Sequence, residues 1–95
     1  INVYFYQSDV TSISAVSETA AEIRKDHGDP TVLINNAGIG KLMPILECNE
    51  KNVRSTFDVN TISHFWMTRE FVPAMVKKNH GHIVTIASMA SYFVH

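Results

Sequence analysis

Residues 31–38 read Thr-Val-Leu-Ile-Asn-Asn-Ala-Gly, an apolar run that stops at two amides, a small residue and a glycine. Residues 31–34 lack polar alternation and are rich in β-branched side chains, which predicts a strand buried on both faces. Asn35 and Asn36 follow at its carboxyl end, the edge where open parallel sheets bind their ligands. Ala37 and Gly38 remove side-chain bulk there, so a flat molecule could lie against the backbone. A polar turn with no ligand accounts for the same residues, because Asn and Gly are common in turns. The neighbouring elements have to decide between the two.

On both sides of this stretch the chain alternates strand and helix. Residues 3–7 (Val-Tyr-Phe-Tyr-Gln) are β-branched and aromatic and lead into Ser8 and Asp9, which predicts a strand and its exit turn. Over residues 12–27, Ile13, Val16, Ala20 and Ile23 recur every three to four positions and predict a helix with one apolar face. Thr11 or Ser12 can cap its start, Arg24 and Lys25 suit the dipole of its last turn, and Gly28 can supply a left-handed stop. Residues 38–46 read as a loop holding Gly40 and Pro44. A longer helical pattern covers residues 49–78. Pro73 inside it lacks a backbone donor and predicts a kink or break near Arg69. Gly81 ends that segment, residues 82–87 (His-Ile-Val-Thr-Ile-Ala) read as a third buried strand, and Ser88 comes next.

The order β-α-β-α-β predicts an α/β fold with a parallel sheet and crossover helices. In such a sheet the carboxyl ends of all strands share one edge. Asp9, the turn at residues 35–38 and Ser88 then become one candidate site.

The bulk properties bound the function. Ninety-five residues allow one small domain at most. Net charge is −1 with the two signs interleaved, which argues against nucleic acid as the main partner. Cys48 is the single cysteine, so there is no disulfide framework and no thiolate metal site, and a reducing, intracellular compartment fits. No apolar stretch approaches the ~18 residues needed to span a bilayer, and residues 1–10 do not resemble a signal peptide. The first residue is Ile1, and the last, His95, closes an apolar and aromatic run (Tyr92, Phe93, Val94). Domain ends are more often polar, so the chain reads as a piece of something larger.

On the second long helix, Val53, Phe57, Asn60, His64, Met67, Phe71 and Met75 fall close to one line at about 100° per residue. Asn60 and His64 interrupt an otherwise apolar, core-facing stripe. A buried amide without partners costs about 1–3 kcal/mol, so Asn60 must bond to backbone, to water or to something in the site. A satisfied core amide is one reading. For His64, between Phe65 and Trp66, simple packing is the stronger one.

Taken together, Asp9-Val10 after one strand, Asn35-Asn36-Ala37-Gly38 after the next, Asn60 in the subsequent helix and Ser88 after the third strand resemble the short-chain dehydrogenase/reductase family. The resemblance covers essentially the whole chain. His64-Phe65-Trp66, Pro73-Ala74-Met75 and Asn79-His80-Gly81-His82 resemble the retinol and 17-beta-hydroxysteroid dehydrogenase branch in particular. It implies a central fragment of a doubly wound Rossmann-type domain. The parent protein would transfer a hydride between NAD or NADP and a hydrophobic alcohol/carbonyl substrate.

The resemblance also implies roles for individual residues. Asp9 would accept a hydrogen bond from the adenine amine, with the Val10 backbone beside it. Asn36, Ala37 and Gly38 would run their backbone past the adenosine ribose, and Asn35 would tie neighbouring strands together. Asn60 would hold a water in a proton relay, and Ser88 would donate to the substrate oxygen. Two parts of the family pattern are missing from these 95 residues: the glycine-rich phosphate turn with its cofactor-selecting residue, and the Tyr-x-x-x-Lys proton donor, expected beyond His95. Tyr92 lies too close to Ser88 for that role. The isolated chain is therefore expected to bind cofactor poorly and to be inactive. A homodimer through the helix at residues 49–79, and either cytoplasmic residence or association of the parent with the endoplasmic reticulum or lipid droplets, are further implications.

Three rivals are weaker. A serine hydrolase elbow, Gly-x-Ser-x-Gly, would need glycines where Ile86 and Ala90 stand. His80 and His82 astride Gly81 have no third metal ligand nearby in sequence. A truncated, non-catalytic binding or dimerisation module remains the alternative to an enzyme.

Overall fold

The computed structural model describes residues 2–40 and 43–88. The elements in chain order are α1 (Ile13–His27), β1 (Val32–Asn35), a 3₁₀ turn (Ile45–Glu47), α2 (Glu50–Phe57), a π turn (Asp58–Ile62), α3 (Ser63–Lys78) and β2 (His82–Thr85). β1 and β2 pair in parallel, from Val32 opposite His82 to Asn35 opposite Thr85. The helical segments between them form the crossover that parallel strands require.

Helix α1 starts and stops as its sequence dictates. The Ser12 hydroxyl accepts from the Ala15 amide at 3.2 Å, and Gly28, at φ +84°, closes the last turn by donating to the Arg24 carbonyl. At its far end α3 stops on Asn79 rather than Gly81. Asn79 adopts the left-handed conformation (φ 51°), donates to Val76 O and lets His80 N donate to Met75 O, the paired Schellman bonds. Gly81 serves a different need, close approach. A methyl group added there would lie 2.7 Å from Met75 Cβ, an atom fixed to the helix backbone. Gly81→Ala is expected to cost about 1–3 kcal/mol by overpacking, measured by urea unfolding of the full-length protein.

The core lies where three elements meet: Ala20 from α1, Leu33 from β1, and Phe71 and Met75 from α3. Both helices cover the same face of the sheet, which changes two expectations. β1 is buried on one face only, with Leu33 and Asn35 inside and Val32 and Ile34 exposed, and every residue of β2 is exposed. Within these 95 residues helices cover one face of the sheet only, so the other face of each strand is left open.

Residues 3–7, expected as a strand, pair with nothing among the described residues. Tyr4 instead stacks on His27 (ring centroids 4.0 Å apart), and Tyr6 donates to Asp26 Oδ2 at 3.0 Å. Partial burial and then the Asp26 carboxylate hold the Tyr6 phenol above its ordinary range. Tyr4 and Tyr6 of this segment line an apolar cavity of about 440 Å³ together with Val10, Val32 and Leu33.

The long helix also departs from expectation. It runs unbroken through Pro73, because one missing backbone bond is tolerated while Phe71 and Met75 stay buried around it. Its irregularity is the π turn. Residues 50–78 span about 43 Å at 1.5 Å per residue, close to the 46 Å long axis of the molecule. The four-residue strands cover only about 13 Å. The amino-terminal half of the helix therefore overhangs the sheet, and Val53 and Phe57, expected to face the core, are exposed.

Candidate functional site

The strand register fixes one edge. Asn35 and Thr85 are partners, and Ile86 N donates to Asn35 O at 3.1 Å, so the chain leaves both strands side by side. Residues 36–38 and Ser88 occupy that edge, all exposed. Asn35 is buried, and its carbonyl takes part in the ladder to β2. Since the carboxyl end of α1 feeds the start of β1, the amino end of α1 opens toward the same edge with Asp9 and Val10 before it.

Asp9 is held in an Asx turn. Its Oδ1 accepts from Thr11 Oγ1 at 2.7 Å and from Thr11 N at 2.9 Å, while its carbonyl accepts from Ser12 N. The Thr11 hydroxyl first, and its amide second, hold the Asp9 carboxyl below the usual carboxylate range. Asp9 is thus an anion at neutral pH, with Oδ2 turned to no bond among the described residues. Val10 is half-buried against the apolar cavity.

Asn60 is joined to the loop beyond β1 by two hydrogen bonds. Its Oδ1 accepts from Ile39 N at 2.8 Å, and its Nδ2 donates to Ile39 O at 2.8 Å. The amide that interrupts the helical stripe is thereby satisfied on backbone, and it anchors the segment just past residues 36–38. One Nδ2 proton and one Oδ1 lone pair remain for a further partner. Gly38 lies close by. A methyl group there would touch Asn60 Oδ1 at 3.5 Å, ordinary contact, so no neighbour among the described residues demands glycine. Asn60 sits inside the π turn, a feature frequent at functional sites.

His64 is half-buried. No group of three or more His, Cys, Asp or Glu among the described residues is placed to hold a metal ion. No helix among them is long and apolar enough to cross a membrane. Tyr92 lies outside the described residues, as do Lys41 and Leu42 of the expected loop. Sequence reasoning missed Ile39 and Ser63. Ile39 offers only backbone to the site. Ser63, a small polar residue, is the most deeply buried polar side chain among the described residues, at 2% exposure.

A family model described as short chain dehydrogenase matches residues 1–94. Among curated relatives, Dehydrogenase RED3 of Cochliobolus heterostrophus is 52% identical over 91 residues, which cover 96% of this chain and 46% of that protein. Retinol dehydrogenase 10-B of Danio rerio is 43% identical over 91 residues, covering 96% of this chain and 27% of its own length. The closed form of serine dehydrogenase complexed with NADP+ superimposes with a TM-score of 0.87 at 31% identity, covering 97% of this chain and 38% of that one. The chain therefore spans less than half the length of these relatives.

Proposed function

Because the chain belongs to the short-chain dehydrogenase family, we propose that it carries the adenosine floor and the substrate-polarising serine of an NAD- or NADP-dependent oxidoreductase. The observation behind this reading is the shared carboxyl edge, where residues 36–38 and Ser88 leave two paired strands side by side. The residues present fit a dinucleotide. Asp9 offers an ionised carboxylate with Oδ2 available to the adenine amine, and the Val10 backbone adjoins it. Asn36, Ala37 and Gly38 offer exposed backbone with little side chain at the last two positions, suited to a ribose lying along it. The nicotinamide, when bound, gives or takes the hydride.

Ser88 donates a hydrogen bond to the oxygen of the alcohol/carbonyl substrate and stabilises the charge that develops there. Asn60 uses its remaining amide proton and lone pair to hold a relay water while it anchors Ile39. The proton donor is supplied from outside these 95 residues, as is the phosphate cradle, so the isolated chain is inactive. A hydrophobic substrate is favoured by the similarity to a retinol dehydrogenase. The overhanging face of α2 and α3 exposes Val53, Phe57 and Phe65, which suits a homodimer contact. Intracellular residence, with membrane association of the full-length protein, completes the proposal.

Titration of NADH and NADPH fluorescence with the full-length protein tests this reading. Saturable micromolar binding of one of them is expected, together with oxidation of hydrophobic primary or secondary alcohols. Absence of binding for both would sink the proposal. The 95-residue chain alone should show no saturable binding, and micromolar affinity there would overturn its incompleteness.

A further inference from the structure

We infer that Ser63 is a positioning residue for the cofactor floor, its buried hydroxyl holding the π turn that aims Asn60 at Ile39. In an α-helix the Ser63 amide would donate to the Val59 carbonyl, four residues back. Here that amide is shared between Asp58 O, five residues back, and Thr61 O. The Val59 carbonyl receives the Ser63 hydroxyl instead, at 2.6 Å. Ser63 is 2% exposed, so water cannot replace this donor.

The hydroxyl thus satisfies the carbonyl that the displaced amide leaves without its helical donor, and its loss would favour return of that amide to Val59 O. Serine and threonine often donate to the carbonyl four residues back without further consequence. Thr56 does so to Asn52 O at 2.8 Å within α2, where the helix stays regular. At Ser63 the same bond coincides with a displaced amide and near-complete burial, and that combination marks the turn.

Helix geometry carries the effect to the site. A π turn inserts about one residue and so rotates α2 by about 100° relative to α3. Helix α3 is fixed, because its Phe71 and Met75 are packed in the core. Asn60 lies within the turn, so its direction depends on whether the turn persists. With the turn in place, both amide atoms of Asn60 meet Ile39. Reverted to α-helix, the Asn60 side chain swings away and the segment just past residues 36–38 loses its anchor. The effect on cofactor rests on the proposed function above; the effect on Ile39 does not.

The test uses the full-length protein and reads amide hydrogen exchange together with cofactor fluorescence. Ile39 is exposed, so protection of its amide reports the bond to Asn60. Ser63→Ala is expected to accelerate Ile39 exchange about tenfold, the factor that loss of one hydrogen bond of ordinary strength accounts for. Exchange in β1 should stay unchanged, and the dissociation constant for NADH or NADPH should rise several-fold. Ser63→Cys keeps the volume with a weaker donor and should fall between wild type and Ala.

A double-mutant cycle separates positioning from general stability. In an Asn60→Ala background, adding Ser63→Ala should accelerate Ile39 exchange no further. Additive effects, equal acceleration throughout β1, or an unchanged Ile39 amide would each overturn the inference. Failure of the wild-type protein to bind either cofactor would remove the proposed function and leave the exchange result to decide this point alone.

Discussion

Ser88→Ala in the full-length protein should lower turnover by about 10²–10³-fold, the range seen when one donor to a developing oxyanion is removed. The dissociation constant for NAD or NADP should stay within about twofold of wild type. The asymmetry comes from position. Ser88 stands at the exposed carboxyl edge, three residues past the last ladder residue Thr85, with the proposed adenosine floor at residues 36–38 on the neighbouring chain exit. Loss of its hydroxyl opens no core cavity, and global stability should move by no more than about one hydrogen bond, ~1 kcal/mol. A bond that strengthens only as charge grows on the substrate oxygen lowers kcat and kcat/KM together when it is lost. Saturating kinetics, a cofactor titration and an unfolding curve on one preparation read all three. Wild-type turnover in the variant would remove Ser88 from the mechanism.

The helices were legible in sequence wherever their signals are local. Ser12, the spacing of Val16 and Ala20, and Gly28 each act within a turn of their own position, and α1 begins and ends where they put it. Burial of the strands was not legible. The run at residues 31–34 is apolar throughout, yet only alternate residues are covered, because coverage depends on how many faces of the sheet carry helices. Residues 3–7 illustrate the same limit. Their composition is that of a strand, but a strand is defined by a partner, and none pairs with them among the described residues.

The site divides along the same line. That residues 36–38 and Ser88 share an edge could be read from strand order alone, since parallel strands end together. The two bonds between Asn60 and Ile39 could not, because one partner is a backbone group in a loop whose side chain carries no information about it. The π turn was equally hidden. No residue type favours it strongly, and a uniform 100° count from Val53 carries the stripe straight through residues 58–62. The stripe is accurate after the turn, at Phe71 and Met75, and fails before it, at Val53 and Phe57. Overhang beyond the sheet deepens that failure.

Phe71→Ala should destabilise the full-length protein by about 3–5 kcal/mol, a large part of the 5–15 kcal/mol that holds a typical domain folded. Phe71 is 5% exposed and sits with Ala20, Leu33 and Met75 where α1, β1 and α3 converge, so its removal leaves a cavity bounded by all three. An alternative view gives the α1–α3 contact to Arg24. Its guanidinium donates to Glu70 O and Glu70 Oε2, each at 3.2 Å, and lies 6.0 Å from the centre of the Phe71 ring. The side chains of that ion pair are 34% and 20% exposed, so solvent screens it and its worth is about 1 kcal/mol or less. Buried carbon therefore outweighs charge at this junction. Urea unfolding of Phe71→Ala and Arg24→Met side by side measures the difference, and Phe71→Leu, which retains most of the buried carbon, should cost clearly less than Phe71→Ala. A larger loss in Arg24→Met than in Phe71→Ala would reverse the ranking and give the helix–helix contact to the ion pair.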